Sequence, residues 1–502
     1  MISRQALNIV ANFSGVTARL IFSLVFNIVY FRVLGSEGYG LIGFYTSLAA
    51  LSALFDLGLN QTVVREVARR GTEGEGVGEL RTVVFTLQLL LGGIGLSLGL
   101  LVALGAPWIA ASWFSASQLA THQITASVAL MGGALALLLP VNGFYGMLTG
   151  LQRQVLSNSI IVAATAFRGA LTVAALFVFG PSPAIFFCAQ IVVSAIEVGL
   201  LCFVAWGLLP PSSRRLRFDA ALLRSTWTFS SQTWLAVTFA QIAMLGDKII
   251  LSTLLPLHLF GLYSLAVTVT SIIQRLAAPF TNTFFPYFVR LKEQDRPDGL
   301  PAAYRAACEF ASAIFLAAGL LLIAYAVPVA QMLSTEATDT ARLALLIALL
   351  AAANTLNVEM ALPFSLLFAH GITAVALRIN LALCLLYPAA LILLVPRYGV
   401  EAAAALWLAA NALMLPLVIA MTHRLILPGQ AWQWLRRTIL LPTCGAALVL
   451  AVGSAIMPGL SRPLTLMWIA LNGALALAAA LLCAPETRRI ILAHLGNRRG
   501  EK

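Results

Sequence analysis

The chain has 502 residues, of which 60% are hydrophobic and only 10% are charged, and its formal net charge is +12. Soluble domains carry about 25% charged residues, so this composition excludes an ordinary soluble enzyme and predicts an integral membrane protein. The six cysteines include no CxxC pair, which leaves a disulfide framework and a zinc site without support.

Apolar stretches long enough to cross about 30 Å of hydrocarbon recur along the whole chain. The first of them is too long for a signal peptide and ends without a small-residue cleavage site. Since the connections are short, no separate soluble domain is expected. We predict an all-α polytopic membrane protein with 14 transmembrane helices, at residues 8–33, 40–63, 82–104, 124–149, 158–179, 185–207, 226–253, 260–285, 303–326, 342–366, 372–395, 400–422, 438–457 and 464–484.

The basic residues lie mostly on one side of this predicted topology. With both termini in the cytoplasm, 22 of the 31 lysines and arginines fall on the cytoplasmic side. The opposite side receives only four, Arg32, Arg342, Arg397 and Arg462. This asymmetry follows the positive-inside rule, so the positive charge reflects topology and not a nucleic-acid partner.

The chain is predicted to restart after the loop that contains Pro210 and Pro211. The segment 34–48 resembles 255–269, and Tyr39-Gly40-Leu41 matches Phe260-Gly261-Leu262 at an offset of 221 residues. Aromatic-glycine turns are also common at membrane interfaces, and this is the alternative explanation. We predict a six-helix bundle at 1–224, a second at 225–437 in parallel pseudo-repeat, and two further spans with a cytoplasmic tail at 438–502.

Four arginines lie inside apolar spans, where a cation costs about 2.5–3.5 kcal/mol. At a rise of about 1.5 Å per residue, Arg19, Arg168 and Arg275 lie near the midplane. Arg378 is only a few residues into its span and could reach the cytoplasmic headgroups. These residues are candidate cations of a polar cavity that binds an anion, and internal pairing with a carboxylate is the alternative.

Carboxylates also lie within the predicted spans. Glu197, Asp247 and Glu359 are candidates for binding a coupling ion, H⁺ or Na⁺, and a structural role as arginine counter-ions is equally compatible with the sequence. Asp56, towards the cytoplasmic end of span 2, is predicted to be structural.

Polar residues recur on the same spans as the arginines. Asn12, Arg19, Ser23 and Asn27 are separated by seven, four and four residues, which places them on one helix face. Asn142 on span 4 and Gln241 on span 7 extend the predicted cavity wall. Ordinary hydrogen bonds between helices are the alternative role for these side chains.

Two motifs of catalysis are absent: the chain has no P-loop and no HExxH sequence. It also lacks the sizeable loops on which a membrane glycosyltransferase or polymerase displays its chemistry. We therefore predict a transporter and not an enzyme, with no cofactor other than a coupling ion.

Two segments resemble the polysaccharide transporter family, the Wzx-type lipid-carrier flippases of the multidrug/oligosaccharidyl-lipid/polysaccharide exporter superfamily. The first has Leu34-Gly35, Gly38-Tyr39-Gly40, Asp56-Leu57-Gly58-Leu59 and Arg65; the second has Asp247, Gly261 and Tyr263. The resemblance implies two bundles with alternating access in a bacterial cytoplasmic membrane. It implies a cargo of oligosaccharide on undecaprenyl pyrophosphate, contact with membrane lipids, and a polysaccharide polymerase and chain-length regulator as partners.

Two other functions from the same superfamily stay open. A flippase of the peptidoglycan lipid precursor shares the 14 spans and a basic cavity. A cation-coupled multidrug exporter shares the fold, but an arginine on span 1 suits an anionic cargo better than a cationic drug.

Overall fold

A computed structural model describes residues 2–52, 54–70, 77–114, 118–209, 216–221, 224, 248–293, 299–334, 336–457 and 461–489, with the side chains of 2–21 and 77–78 outside the description. Throughout these ranges the regular structure is helical, and none of the residues they contain forms a strand. The all-α fold class is confirmed.

The chain divides into two compact units, Met1–Leu265 and Ala266–Lys502. The first unit contains α1 (Ile2–Ser52), α2 (Leu59–Arg70), α3 (Val77–Ser112), α4 (Thr121–Gly150), α5 (Gln154–Phe179), α6 (Pro183–Leu208) and the start of α7 (Leu257–Glu293). The predicted boundary at residues 224 and 225 borders the stretch 225–247, which lies outside the described residues, and it stays a prediction.

The second unit continues with the rest of α7, followed by both long and short helices. They are α8 (Gly299–Ala324), α9 (Ala326–Leu333), α10 (Ala337–Glu359), α11 (Ala361–Ala369), α12 (Ala374–Tyr398), α13 (Val400–Leu425), α14 (Ala431–Trp434), a π-helical turn (Leu435–Leu440), α15 (Leu441–Ala455) and α16 (Arg462–Cys483).

Within the described residues, eleven helical stretches are long and apolar enough to cross a membrane. They coincide with predicted spans 3 to 6 and 8 to 14. Spans 1 and 2 fall on α1 and α2, and α1 consists of two helices that meet at a kink, where Gly35 has φ 72° and ψ −179°. Most of span 7 lies outside the described residues. The chain is thus a multi-pass membrane protein, and the total of 14 spans stays a prediction.

Predicted span 2, at residues 40–63, is not one continuous helix. α1 ends at Ser52 and α2 begins at Leu59. Leu57 and Gly58 between them have positive φ angles of 53° and 73°, which no helix accommodates. The carboxylate of Asp56 accepts the N–H of Asn60 at 2.8 Å, so this residue has the structural role predicted for it.

The same helix pairs pack in both units. In the first unit α3 contacts α4, and α6 contacts both α4 and α5. In the second unit α8 contacts α10, and α13 contacts both α10 and α12. These helices correspond to spans 3 to 6 and 9 to 12, so the packing follows the predicted internal repeat.

Spans 13 and 14 pack against α8 through small residues. Buried alanines spaced four apart lie on α8, at Ala313 and Ala317, and on α16, at Ala476 and Ala480, and α15 contributes Ala446. Small residues let helix backbones approach closely where lipid supplies no hydrophobic driving force. The two additional spans are therefore built onto the second unit.

The two repeated segments contact each other reciprocally. A Cβ atom added to Gly261 would lie 1.9 Å from the carbonyl oxygen of Ser36, and one added to Gly40 would lie 2.6 Å from that of Leu257. At the offset of 221 residues, Gly40 corresponds to Gly261 and Ser36 to Leu257. The equivalent positions Gly43 and Ser264 also meet, at 2.2 Å from an added Cβ to Oγ. Contacts of this form arise about a local two-fold axis.

We expect Gly40→Ala and Gly261→Ala each to destabilise the purified protein by about 1–3 kcal/mol, because the added methyl group meets a backbone carbonyl that cannot move aside. The measurement is unfolding in detergent micelles. Gly199→Ala in α6 is the matched control, since nothing lies within 4 Å of a Cβ there. It should be neutral or stabilising by up to about 1 kcal/mol. Equal stability of all three variants would contradict the close contact.

Candidate functional site

Arg168 is held by an ion pair inside the first unit. Its Nη2 donates to Glu197 Oε2 at 2.7 Å, and its Nη1 donates to Gln190 Oε1 and Ser194 Oγ, each at 3.0 Å. The Arg168 side chain is 27% exposed and that of Glu197 8% exposed. The structure therefore places Arg168 in the internal pairing that was the alternative to an unpaired cavity cation.

The pattern of α6 builds this network. Gln190, Ser194 and Glu197 are separated by four and three residues, so they share the helix face that meets α5. Tyr145 of α4 donates its hydroxyl to Glu197 Oε1 at 2.6 Å. Hydrogen bonds to both charged groups offset part of the cost of burying them. The network ties α4, α5 and α6 together about halfway along α5.

Helix α1 lies directly beside this network. A Cβ added to Gly169 would lie 2.0 Å from the ring of Phe26, so α1 and α5 are in close contact one residue from Arg168. Asn27 accepts the hydroxyl proton of Tyr39 at 3.0 Å and donates to the carbonyl oxygen of Ser23 at 2.7 Å. Asn27 thus has a structural partner within α1, whereas Ser23 is exposed.

A second polar cluster lies in the second unit and is built from amides. Asn354 Oδ1 accepts from Trp407 Nε1 and from Gln274 Nε2, each at 3.1 Å, and its Nδ2 donates to Thr270 Oγ1 at 3.2 Å. Asn411 accepts from Asn357 at 2.8 Å. The cluster joins α7, α10 and α13 without a charge pair.

The two clusters occupy corresponding helices of the repeat. In the first unit the residues lie on α4, α5 and α6. In the second, Asn354 lies on α10 and Trp407 on α13, and the ring of Tyr387 on α12 lies 5.5 Å from that of Trp407. The repeat therefore places a charged cluster in one unit and an uncharged one at the equivalent place in the other.

Three further predicted cavity residues are exposed: Asn142 on α4, Arg275 on α7 and Arg378 near the start of α12. Arg275 is adjacent in sequence to Gln274 of the amide cluster. The side chains of Asn12 and Arg19 are outside the description, although both residues lie on α1. Gln241 and Asp247 lie outside the described residues altogether.

Glu359 ends α10 and is only 3% exposed. Ser312 of α8 donates a short hydrogen bond to its Oε2. Its Oε1 finds no hydrogen-bond partner among the described residues. A buried carboxyl group with one unpartnered oxygen has room to bind a proton or a cation.

Sequence reasoning missed several members of the two clusters. In the first these are Gln190, Ser194 and also Thr172, whose Oγ1 accepts from Gln190 Nε2 at 3.2 Å. In the second they are Thr270, Gln274, Trp407 and Asn411. The signal that could have found the α6 members was their helical spacing from Glu197. Trp407 and Asn411 have the same four-residue spacing. In the described part of the chain no group of three or more histidine, cysteine or acidic side chains is placed to hold a metal ion.

Removing one partner of the buried pair should leave an uncompensated charge, so we expect Glu197→Ala or Arg168→Ala to cost about 3–5 kcal/mol. The double variant should cost less than the sum, with a coupling energy of about 1–3 kcal/mol. The measurement is a double-mutant cycle of unfolding in mixed micelles.

The matched control is the exposed pair of Arg342 and Glu401, joined at 2.8 Å with side chains 43% and 32% exposed. Its cycle should give about 0–1 kcal/mol. A coupling energy at Arg168 no larger than at this exposed pair would contradict the buried network.

The fold resembles that of solved transporters. The lipid II flippase MurJ in an inward closed conformation superimposes with a TM-score of 0.71 at 12% identity, over 97% of this chain and 100% of that one. An inward-facing multidrug resistance MATE family transporter of the MOP superfamily gives 0.62 at 13%, over 82% and 96%. A MATE in complex with MaL6 gives 0.55 at 12%, over 83% and 96%. At these identities the likeness establishes the fold alone.

Among curated proteins, none matches the chain by sequence. The family model for "Polysaccharide biosynthesis protein" matches residues 6–292, which is more than half of the chain and includes both segments that carry the motifs. The chain therefore belongs to this polysaccharide biosynthesis family, and it has the transporter fold of MurJ and MATE.

Proposed function

We propose that the protein is a flippase that moves an oligosaccharide linked to undecaprenyl pyrophosphate across the bacterial cytoplasmic membrane by alternating access. The family match supports a glycan pathway. The observation that carries the proposal is the length of the fold match: MurJ, a lipid II flippase, covers 97% of the chain, whereas the two MATE structures cover 82% and 83%. A lipid-linked glycan is therefore favoured over a drug.

The anionic end of the cargo is the pyrophosphate, which guanidinium groups bind with two parallel hydrogen bonds. Arg275 and Arg378 are exposed, and we propose that their guanidinium groups bind it. Arg19 lies on α1, the helix that contacts α5 at Gly169 through Phe26. Arg168 is engaged with Glu197, and we propose that it binds the cargo more weakly, through the exposed part of its side chain.

The sugars would contact amide and aromatic side chains. Asn27 and Asn142 in the first unit and Gln241 near its end are the proposed polar contacts, with Asn12 further along α1. Neutral amides can donate hydrogen bonds to sugar hydroxyl groups and can accept hydrogen bonds from them, so they do not select one particular sugar. The lipid tail would stay in the bilayer during translocation.

A flippase of the peptidoglycan lipid precursor is the second candidate, because MurJ itself is named for lipid II. Both cargoes share a polyprenyl pyrophosphate, so the proposed arginine contacts serve either one. Because the family match is to polysaccharide biosynthesis, the oligosaccharide is our first candidate cargo and lipid II the second.

Coupling to an ion gradient is part of the proposal, with H⁺ or Na⁺ as the ion and no other cofactor. Glu359 is the first candidate because it is buried and has an unpartnered oxygen. Glu197 is held by Arg168 and Tyr145, which favours a structural role, and Asp247 remains a candidate from its sequence position. We place both termini in the cytoplasm and expect a polymerase and a chain-length regulator to act on the exported glycan.

Proteoliposomes test the cargo directly. We expect a fluorescent polyprenyl-pyrophosphate oligosaccharide in the inner leaflet to become accessible to an impermeant lectin only when the protein is present. Arg275→Gln should slow this transfer about tenfold, since a charge-assisted hydrogen bond contributes about 1.5–3 kcal/mol. Arg397→Gln, an exposed arginine at the end of α12, is the control and should leave the rate unchanged.

Parallel vesicles carry lipid II or the cationic dye ethidium. Transfer of lipid II at a higher rate than the oligosaccharide would establish the second candidate instead. Efflux of ethidium without transfer of either lipid would overturn the flippase.

We expect Glu359→Gln to abolish the acceleration of transfer by an imposed H⁺ or Na⁺ gradient, because an amide can neither gain a proton nor balance a cation. Transfer without a gradient should persist, since the substitution nearly preserves the volume of the side chain. The measurement compares initial rates with and without each gradient. Glu401→Gln, at an exposed carboxylate, is the control. Full gradient stimulation of the Glu359 variant would exclude this residue from coupling.

A further inference from the structure

A groove of about 800 Å³ opens in the second unit, between the end of α8, the short helix α9, the first half of α10 and the start of α16. Its volume lies within the range of about 300–1,000 Å³ that is typical of small-ligand sites. It lies apart from the two polar clusters, and the proposed function makes no use of it.

Small residues on α10 create the groove. Ala337, Ala341, Ala344 and Ala348 line it. Their spacing of four, three and four residues places them on one helix face. From the first to the last the face extends about 16 Å, at about 1.5 Å per residue. This face begins before predicted span 10, which starts at residue 342, and ends within it.

The opposite wall of the groove is apolar. Ile323 and Val327 line it from α8 and α9, and Leu345 lies at the edge on α10. Val327 is 54% exposed and Leu345 is 47% exposed, so the groove is open along its side. A hydrocarbon chain could therefore enter from the bilayer without passing through the aqueous phase.

Polar groups gather at the other end, near the first turn of α10. Gln331, Ser334, Thr340 and Arg462 line the groove there. Arg462 is the first residue of α16 and one of the four basic residues predicted on the outer side. None of the described residues that line the groove is acidic, and the neighbouring carboxylates of Glu336 and Asp339 are outside the lining. Arg462 is thus the one charged side chain among the described residues that line the groove.

We propose that this groove binds an anionic phospholipid of the outer leaflet. Arg462 holds the phosphate, with Gln331 and Thr340 as hydrogen-bonding neighbours, and one acyl chain lies along the alanine face of α10. A cation at one end of the groove and apolar walls at the other select a lipid over a soluble metabolite. The bound lipid bridges α9, α10 and α16 independently of the cargo.

Native mass spectrometry of the purified full chain tests the site with phosphatidylglycerol and with phosphatidylcholine of identical acyl chains. We expect at least tenfold tighter binding of phosphatidylglycerol. Arg462→Gln should remove this preference by weakening phosphatidylglycerol about tenfold. Ala341→Phe should fill the groove and abolish specific binding of both lipids. Because Ala341 is exposed, the larger side chain should not prevent the protein from folding. Arg397→Gln is the control for loss of one outer arginine and should bind as the wild type does.

Each other outcome overturns the proposal. Equal affinity for the two phospholipids, or unchanged binding in Arg462→Gln or in Ala341→Phe, would exclude the site. If glycerol phosphate displaced the phospholipid at an equal concentration, the acyl chain would contribute nothing to binding. If undecaprenyl phosphate bound more tightly than phosphatidylglycerol, the ligand of the groove would be a polyprenyl lipid and not a phospholipid.

Discussion

The hydrocarbon core offers no hydrogen-bond partner, and the rest of the structure depends on this constraint. Backbone groups must be satisfied within each segment, which is why the described chain is helical. Side chains face the same condition. Arg168 is tolerated because Glu197, Gln190 and Ser194 accept hydrogen bonds from its guanidinium group. Asn354 is tolerated because Trp407 and Gln274 donate hydrogen bonds to its side-chain oxygen. Each of these two polar clusters thus joins three helices through hydrogen bonds among its own members.

The two clusters differ in a way that bears on transport. In the first unit a guanidinium is already balanced by a carboxylate, so a passing anion must compete with Glu197 for it. In the second unit the cluster consists of neutral amides and an indole, and no charge pair lies within it. A transporter must release its cargo as well as bind it. A partly neutralised cation near the midplane suits that need better than an unpaired one.

Much of the fold could be predicted from the sequence, because hydrophobicity and length alone specify a span. The stretches at spans 3 to 6 and 8 to 14 follow directly. The turn at Leu57 and Gly58 was missed because the apolar run continues through it while the backbone does not. Arg168 and Glu197 were both identified, but their pairing depends on how α5 and α6 are rotated towards each other. Spacing on a single helix cannot supply that rotation. The groove was missed for a related reason, since alanines form a cavity only when larger neighbours fail to fill the space.

The reciprocal contact of the repeated segments has a consequence for how the chain can change. In a symmetric dimer of identical halves, a substitution at one glycine would alter the interface at two places at once. In a single chain, Gly40 against Leu257 and Gly261 against Ser36 are separate contacts, and each can diverge alone. The serine and the leucine at equivalent positions are such a divergence. The equivalent positions Gly43 and Ser264 meet in the same way, and there too the two halves carry different residues.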